Sequence, residues 1–254
     1  MESDSEAKDS SVHELDDRAF LAERVQPIPG WLFDFAALRT MELLSWQDEQ
    51  SITGSFLEIG VYCGRYFSLL LRAGSRTGAT VVGIDTFQFS SPALLREHME
   101  RAVGSVDFKL IERPSTSVTA KAVLAVTGGR PRFISIDGSH AYKDVLWDLR
   151  LSESILATGG VIAADDFISP ECLGVNQAIN EFLSLRRDLA PFAYFANKLF
   201  LCRRRMHQRY IELMEALVLA DKVDVRSLKF IEHRKSGRTN CFTHFHGDEL
   251  LVAG

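Results

Sequence analysis

The stretch Phe-Leu-Glu-Ile-Gly-Val-Tyr-Cys-Gly-Arg-Tyr, residues 56–66, decides the fold. It begins as an apolar run that contains Glu58 and is typical of a buried strand, and Gly60 and Gly64 then open a turn. From Tyr66 onward the apolar residues follow a helical pattern. A strand, a glycine turn and a helix in this order place backbone N–H groups where they can hold an anionic group. The glycines allow positive φ and a close approach of the backbone to a ligand, although a tight turn without a ligand has the same pattern.

Length, charge and cysteine content narrow the class of protein. The 254 residues suffice for a large buried core, and the net charge of −5 gives no basic surplus for binding nucleic acid. No apolar run approaches the roughly 20 residues that span a bilayer, and the acidic start is unlike a signal peptide. The four cysteines show no disulfide framework. We therefore expect a soluble, cytoplasmic protein that binds neither membrane nor nucleic acid.

Candidate strands and helices alternate from Ser55 onward. The strands are predicted at 56–60, 80–85, 107–112, 132–137 and 160–165, and the helices between them at 64–73, 92–103, 116–126 and 141–157. This alternation indicates an α/β fold with a doubly wound parallel sheet and helices on both faces. A helix at 174–185 precedes two apolar runs, 191–195 and 198–202, whose short separation predicts an antiparallel hairpin. We expect seven strands, mostly parallel.

The pattern divides the chain into three parts, predicted as an N-terminal segment (1–29), a central domain (30–205) and a C-terminal helical extension (206–254). Residues 1–17 are polar and acidic, and we expect them to be disordered. Short apolar patterns predict helices at 19–25 and 32–46. The tail contains Cys241, His244 and His246 without the paired spacing of zinc sites. We prefer a tail that covers a cleft or contacts a second copy in a homo-oligomer.

Residues after the second and third strands suggest a nucleoside ligand. Asp85 ends a strand, and ligands of doubly wound sheets lie beyond such carboxyl ends, where an acid accepts both ribose hydroxyls. Phe87 is placed to pack on a base or in the core, and Ser115 to bond the edge of the ring. Helix capping is the alternative role for Asp85 and Ser115.

Three carboxylates follow two neighbouring strands. The fourth strand ends in Ile-Asp137-Gly-Ser-His140, and the fifth in Ala-Asp165-Asp166. Three bare carboxylates at one edge of a sheet repel one another and raise each other's pKa, which a bound divalent cation prevents. Oxygen ligands select a hard ion, with Mg²⁺ first and Mn²⁺ or Ca²⁺ behind. The sequence therefore predicts a metal site at Asp137, Asp165 and Asp166.

These motifs resemble a known enzyme family. The pattern E-x-G-x-x-x-G from Glu58 to Gly64 is similar to the first motif of class I S-adenosylmethionine-dependent methyltransferases. The segments Ile-Asp-Gly-Ser-His-Ala-Tyr at 136–142 and Gly-Gly-Val-Ile-Ala-Ala-Asp-Asp at 159–166 resemble the metal-dependent O-methyltransferases. That group includes the macrocin and aminocoumarin sugar enzymes and the catechol O-methyltransferase-like enzymes. The resemblance covers about residues 30–203 and implies a Rossmann-like sheet.

The resemblance also implies site residues and a reaction. S-adenosylmethionine would bind at Glu58, Gly60, Gly64, Asp85, Phe87, Ser115 and Asp137. Mg²⁺ or another divalent cation would bind at Asp137, Asp165 and Asp166. His140 would be the general base, and Asp137 would share the reacting centre. The acceptor would be a hydroxyl group of a small molecule, such as a sugar, a phenol or another natural product.

Two other functions share these motifs. A metal-dependent hydroxylase similar to cephalosporin hydroxylase would use the same acids on the same sheet. A regulator would bind S-adenosylmethionine without transfer, although Asp137, Asp165, Asp166 and His140 would then have no use. A nicotinamide-dependent dehydrogenase is disfavoured because Glu58 and Cys63 do not fit the G-x-G-x-x-G fingerprint.

Overall fold

One large sheet forms the centre of the protein. The computed structural model describes residues 15–185, 188–237 and 241–253, so residues 1–14 of the stretch predicted to be disordered lie outside it. Within the described residues the sheet has nine strands in the order β3-β2-β1-β4-β5-β7-β6-β9-β8. The strands are β1 (Ser55–Ile59), β2 (Val81–Asp85), β3 (Lys109–Glu112), β4 (Pro131–Ile136), β5 (Val161–Ala164), β6 (Leu189–Phe195), β7 (Lys198–Arg203), β8 (Phe242–Phe245) and β9 (Asp248–Ala253).

Helices connect the strands along the chain. They are α1 (Asp17–Phe20), continued by a π-helical turn (Leu21–Val25), α2 (Asp34–Glu49), α3 (Phe67–Thr77), α4 (Pro92–Val103), α5 (Ala120–Thr127), α6 (Tyr142–Ile155), α7 (Leu173–Ser184), α8 (His207–Ala220) and α9 (Val225–Lys235). Local sequence explains their ends. Ser91 caps α4 by accepting a hydrogen bond from the N–H of Leu94, and Gly104 ends that helix with φ +71°. None of the described helices combines the length and apolarity needed to cross a membrane.

The strand pairing confirms the predicted doubly wound arrangement. Strands β1 to β5 pair in parallel, and the hairpin of β6 and β7 joins them through an antiparallel pairing of β7 with β5. Both faces of the parallel part are covered, which explains why β1, β4 and β5 are buried along their whole length. Phe56 and Phe133 pack with α2, α3, α4 and α8 on one face, whereas Leu57 and Ile134 pack with α5, α6 and α7 on the other.

The tail differs from the predicted helical extension. Helices α8 and α9 are present, but the chain then returns as β8 and β9 and extends the sheet from seven strands to nine. Strand β9 pairs in parallel with β6 and places Leu251 beside Ala193 in the core. The strands were missed because the alternating pattern in 242–253 is short and interrupted by polar residues. All four cysteines are buried, free thiols.

Candidate functional site

The predicted site residues gather where the strand order reverses. Strands β1 and β4 are neighbours although β2 and β3 lie between them in sequence, and ligands of such sheets bind in the crevice beyond this point. Glu58 lies on β1, Asp137 directly follows β4, and Asp165 directly follows β5. The N–H of Asp137 donates to the carbonyl of Ile59 over 2.8 Å, and the strand ends are thereby held side by side.

Gly60 makes this close approach of strand ends possible. It has φ +84°, and a Cβ atom at this position would lie 1.9 Å from the carbonyl oxygen of Asp137. Gly64 has a packing role in addition, and its predicted contact with a cofactor stays a prediction. Its missing side chain leaves room for Leu95 and Met99 of α4, whose atoms would lie 2.4 Å and 2.7 Å from a Cβ atom. Gly60 therefore lets the strand ends approach each other at the crevice, and Gly64 lets α4 pack closely against the turn.

Asp85 holds the glycine turn together. Its carboxylate accepts hydrogen bonds from the N–H groups of Val61 and Tyr62 over 2.7 Å and 2.8 Å, and from Phe87 over 2.6 Å. Tyr62 and Phe87 have positive φ, 51° and 55°, a conformation that costs energy for such bulky residues. Asp85 therefore does not cap a helix, and its role towards a ribose stays a prediction.

Ser115 lies in a single 3₁₀ turn at Ser115–Ser117, not at the start of the predicted helix 116–126. Helix α5 begins later, and Thr119 caps it by accepting a hydrogen bond from the N–H of Ala122. The carbonyl of Ser115 accepts a hydrogen bond from the indole of Trp147 over 3.1 Å. The capping role of Ser115 is thus wrong, whereas its predicted contact with an adenine ring stays a prediction.

A buried lysine lies among the carboxylates of the crevice. The Nζ atom of Lys198, at the start of β7, is 2.7 Å from Oδ2 of Asp165 and 4.2 Å from the centre of the Tyr66 ring. Glu58 and Lys198 are both 1% exposed. Burial acts to lower the pKa of Lys198, but Asp165 and the other neighbouring acids outweigh it and raise that pKa. Lys198 is therefore a buried cation paired with Asp165.

The single positive charge of Lys198 does not neutralise all the acidic groups around it. Burial raises the pKa of Glu58 and of Asp137 well above the usual carboxyl range, and the nearby charge of Asp165 adds to both shifts. No protein group among the described residues hydrogen-bonds Oε2 of Glu58, although this atom is buried. The crevice therefore has an excess of acidic groups that favours a further positively charged partner.

His140 forms a second cluster at the edge of the crevice. Its Nε2 atom is 3.0 Å from Oδ2 of Asp166, and its Nδ1 atom is 3.2 Å from the sulfur of Cys172. The hydrogen bond to Asp166 raises the pKa of His140 and lowers that of Asp166. Ala141, not His140, occupies the capping position of α6. Burial raises the pKa of the Cys172 thiol, so Cys172 is a neutral neighbour of the imidazole.

The carboxylates are not arranged as a bare metal triad. Within the described parts of the chain, the potential ligand atoms that lie within 4.8 Å of one another belong to His140, Asp166 and Cys172. The predicted set shares only Asp166 with this group. The difference has a physical reason, since Lys198 binds Asp165 and the side chain of Asp166 bonds His140 and Asn197. In the tail, Cys241 instead contacts the carbonyl of Phe230, and His246 contacts Asn180.

A cleft of about 920 Å³ opens above these residues. Its lining includes six of the predicted site residues, namely Glu58, Gly60, Asp137, His140, Asp165 and Asp166. Among the described residues, Gly64, Asp85, Phe87 and Ser115 lie outside this lining. The aromatic side chains of Trp31 and Phe33, which precede α2, and a cation from α9, Arg226, complete the walls. The cleft thus joins the acidic end of the sheet to a helix outside the central domain.

The sequence prediction missed Lys198, Cys172 and Arg226. A signal for Lys198 was present, because a lysine that opens an apolar strand after a two-residue turn is unusual. Cys172 and Arg226 carry no such signal. They reach the cleft only because the loop after β5 and helix α9 fold over it.

Comparisons with known proteins find a similar domain model and similar folds. The model of the methyltransferase domain family (Methyltransf_24) matches residues 57–167. No curated protein sequence matches the chain. The fold is similar to that of CalS11, a TDP-rhamnose 3'-O-methyltransferase of calicheamicin biosynthesis, at 20% identity and a TM-score of 0.51, over 65% of this chain and 77% of that chain.

Two further solved structures share the fold. An O-methyltransferase from Bacillus cereus in complex with SAH is 16% identical, with a TM-score of 0.52, over 72% of this chain and 89% of that chain. MycE, a methyltransferase of the mycinamycin pathway in complex with Mg and SAH, is 14% identical, with a TM-score of 0.53, over 74% of this chain and 53% of that chain. The matched region contains the glycine turn, Asp85, Asp137, His140 and both acids after β5. Residues 57–167 therefore match the methyltransferase domain model, and the chain shares the fold of these solved methyltransferases.

Proposed function

We propose that the protein is an enzyme that transfers a methyl group from S-adenosylmethionine to a hydroxyl group of a small molecule, such as a sugar, a phenol or another natural product. One observation carries the proposal. The imidazole of His140, hydrogen-bonded to Asp166, lines the same cleft as Glu58 and the glycine turn of the methyltransferase domain. A base and a donor site in one cleft are what O-methylation requires.

The donor is expected to bind at the acidic end of the sheet. Glu58, Gly60 and Asp137 line the cleft there, and Gly64, Asp85, Phe87 and Ser115 lie beside it towards β2 and β3. The donor carries a positive charge on its sulfonium group and on its amino group. The acidic surplus and the unpaired Oε2 of Glu58 support such a ligand. S-adenosylmethionine supplies an electrophilic methyl group when it is bound.

The residues present fit a divalent cation in ligand type, because three carboxylates offer oxygen ligands, although the described chain does not draw all three together as one ligand set. Asp137, Asp165 and Asp166 would hold Mg²⁺, and Lys198 offsets only part of their negative charge. Bound there, the ion would lower the pKa of an acceptor hydroxyl as a Lewis acid. We therefore include Mg²⁺ in the proposal, with another divalent cation as the alternative.

His140 is proposed as the general base. Asp166 accepts the hydrogen bond from Nε2, which leaves Nδ1 to take a proton from the acceptor. Asp166 also stabilises the imidazolium that forms, as the raised pKa of His140 indicates. The acceptor hydroxyl would replace the thiol of Cys172 as the partner of Nδ1. Asp137 is buried beside Asp165, and burial together with that neighbouring charge raises the pKa of its carboxyl group. Its proposed role is to form the floor of the reacting centre, away from solvent.

The test replaces His140 and measures transfer and binding separately. A panel of sugars and phenols is incubated with S-adenosylmethionine and Mg²⁺, and formation of the demethylated donor product is followed. With an acceptor found in this way, we expect His140→Ala to lower kcat about 100-fold or more, the usual share of a general base. The affinity for S-adenosylmethionine should stay within twofold of wild type.

The control variant is His244→Ala, because His244 is an exposed histidine of β8 outside the cleft. It should leave both quantities unchanged. An unchanged kcat in His140→Ala would remove this residue from the mechanism. Donor binding without transfer to any acceptor of the panel would instead favour the regulator that binds S-adenosylmethionine without chemistry.

A further inference from the structure

Arg226 lies in the wall of the cleft at the start of α9, a helix outside the methyltransferase domain. Asp224 caps this helix by accepting a hydrogen bond from the N–H of Arg226 over 2.8 Å. In the next position, the hydroxyl of Ser227 contacts the buried carboxylate of Asp221 over 3.2 Å. These bonds fix the backbone on both sides of Arg226, and its side chain therefore starts from a rigid position.

The guanidinium group of Arg226 contacts aromatic rings instead of acids. Its central carbon lies 5.6 Å from the centre of the Phe33 ring and 5.9 Å from that of Phe35. Such contacts hold the planar cation and remove part of its water. Among the described residues, no carboxylate lies within 4.0 Å of its nitrogen atoms. Its donors thus remain available to a ligand.

The other cations at the cleft are already engaged. Arg65 donates to the carbonyls of Gly30 and Gln26, His140 is bonded to Asp166, and Lys198 is bonded to Asp165. Arg226 therefore differs from them because, among the described residues, its guanidinium group lines the cleft with neither a hydrogen-bond acceptor nor an acidic partner. An anion is the ligand that such a group binds most strongly, through two parallel hydrogen bonds.

Large apolar side chains surround the mouth of the same cleft. Trp31 is 89% exposed and is stacked on Tyr62 at 6.3 Å between ring centres. Ile168, on the opposite loop after β5, is 61% exposed and has φ +64°, which is strained for a β-branched residue. Exposed apolar groups around a cleft mark a surface that a ligand covers. The ligand body should therefore be aromatic or otherwise apolar.

We propose that Arg226 is a specificity-determining residue that binds a carboxylate or phosphate group on the methyl acceptor. The acceptor is then an aromatic or apolar molecule that carries both a hydroxyl group and an anionic group. The identification of this ligand as the acceptor rests on the proposed function. The binding of an anion by Arg226 does not, and it is tested without any methyl transfer.

The experiment uses calorimetry to titrate into the protein three probes that share the naphthalene ring and differ in the group attached to it. The probes are 1-naphthyl phosphate, 1-naphthoate and neutral 1-naphthol, each with and without S-adenosylhomocysteine. We expect wild type to bind at least one anionic probe about tenfold more tightly than 1-naphthol, the gain typical of charged hydrogen bonds. The two anionic probes distinguish a phosphate site from a carboxylate site. Arg226→Gln should remove the preference and leave the affinity for 1-naphthol unchanged.

Two further variants complete the test. Arg226→Lys should keep part of the preference, because the charge remains but the paired hydrogen bonds are lost. Lys235→Gln removes an exposed cation from the other end of α9, outside the cleft, and should keep the preference in full. Thermal unfolding of each variant reports whether it is folded.

Three results would overturn the proposal. They are equal binding of all three probes by wild type, an anion preference that survives Arg226→Gln, and a loss of S-adenosylhomocysteine affinity in Arg226→Gln. The last result would assign Arg226 to the carboxylate of the methyl donor. Failure of the proposed function is a separate result, in which wild type binds no S-adenosylhomocysteine while the probe titrations still decide the role of Arg226.

Discussion

Lys198 shows how a single side chain sets the charge of the whole site. A buried carboxylate without a counter-ion costs several kcal/mol, and Asp165 has its counter-ion built into the neighbouring strand. The same lysine contacts the ring of Tyr66, whose hydroxyl lies 2.9 Å from that of Thr40 on α2. The acidic end of the sheet is therefore anchored to the helix that covers it, before any ligand binds.

From the buried carboxyl group of Asp148 we predict that the stability of the protein depends on pH. This residue of α6 is fully buried, and burial raises its pKa to about 7. The unfolded side chain loses its proton near pH 4, so the native state binds more protons between about pH 4 and 7. The free energy of unfolding should fall as pH rises through this window, by up to about 4 kcal/mol for this group. Asp148→Asn should remove that fall.

The measurement is urea unfolding of wild type and Asp148→Asn at pH 5 and pH 8. The variant should gain stability relative to wild type at pH 8 more than at pH 5. Glu97→Gln, which changes an exposed carboxylate of α4, serves as the control and should follow wild type at both values. The same pH dependence in wild type and Asp148→Asn would contradict this account.

For individual residues, the sequence predicted the positions of the acidic side chains but not those of the side chains that pair with them. Asp137, Asp165 and Asp166 were predicted at one sheet edge, because strands β4 and β5 are parallel neighbours that end there. Lys198 was not predicted, since its position depends on the register of β7, in which Leu199 pairs with Ala164. Sequence periodicity locates an antiparallel strand but does not fix this register. The contact of Cys172 with His140 likewise depends on the path of a loop.

Among the elements, the glycine turn between β1 and α3 controls the shape of the crevice. Gly60 and Gly78 both have positive φ, at +84° and +68°. A Cβ atom on Gly60 would collide with the backbone of Asp137, whereas one on Gly78 would meet nothing within 4 Å. Alanine at Gly78 should cost only the backbone strain of about 1 kcal/mol. Alanine at Gly60 must also separate β1 from β4.

We therefore predict that Gly60→Ala destabilises the protein by at least 2 kcal/mol more than Gly78→Ala, the range of an overpacked core. Urea unfolding compares the two variants directly. Calorimetry of S-adenosylmethionine should show weaker binding to Gly60→Ala and unchanged binding to Gly78→Ala. Equal effects of the two changes would mean that the turn is not held against β4 as the structure describes.

The elements of the central domain follow from periodicity, and those of the tail do not. Predicted strands and helices between 56 and 203 are present, with shifts such as α5, which begins at Ala120 instead of Thr116. Local signals suffice there because each strand is a continuous buried run. Strands β8 and β9 are held by long-range pairing of β9 with β6, which no local pattern in the tail encodes.

Across the whole molecule, one ion cluster joins helices α1 and α2 to the turn between α8 and α9. Asp221, after α8, lies 3.1 Å from the fully buried Arg39 of α2 and 2.6 Å from Arg18 of α1. It also accepts hydrogen bonds from the N–H groups of Val223 and Asp224 that lead into α9. Asp221 therefore links α9, which forms part of the cleft wall, to α1 and α2.

Asp221→Asn should lower the free energy of unfolding by about 3 kcal/mol, because the buried guanidinium of Arg39 loses a charged partner. The pair of Arg203 and Asp188 provides the control, because the carboxylate of Asp188 is 65% exposed, and Asp188→Asn should change the stability by less than about 1 kcal/mol. Urea unfolding measures both variants. A loss no larger than that of the control would show that the cluster is not a structural link.

The donor site and the metal site are proposed to lie in one cleft. Titration calorimetry of S-adenosylmethionine, with and without Mg²⁺, tests this most directly. Wild type should bind S-adenosylmethionine at one site per chain. Asp166→Asn, which leaves the pair of Lys198 and Asp165 in place, should keep donor binding and lose the binding of Mg²⁺. If wild type binds no S-adenosylmethionine under either condition, the assignment of the crevice to a methyl donor is contradicted, and the proposed enzyme falls with it.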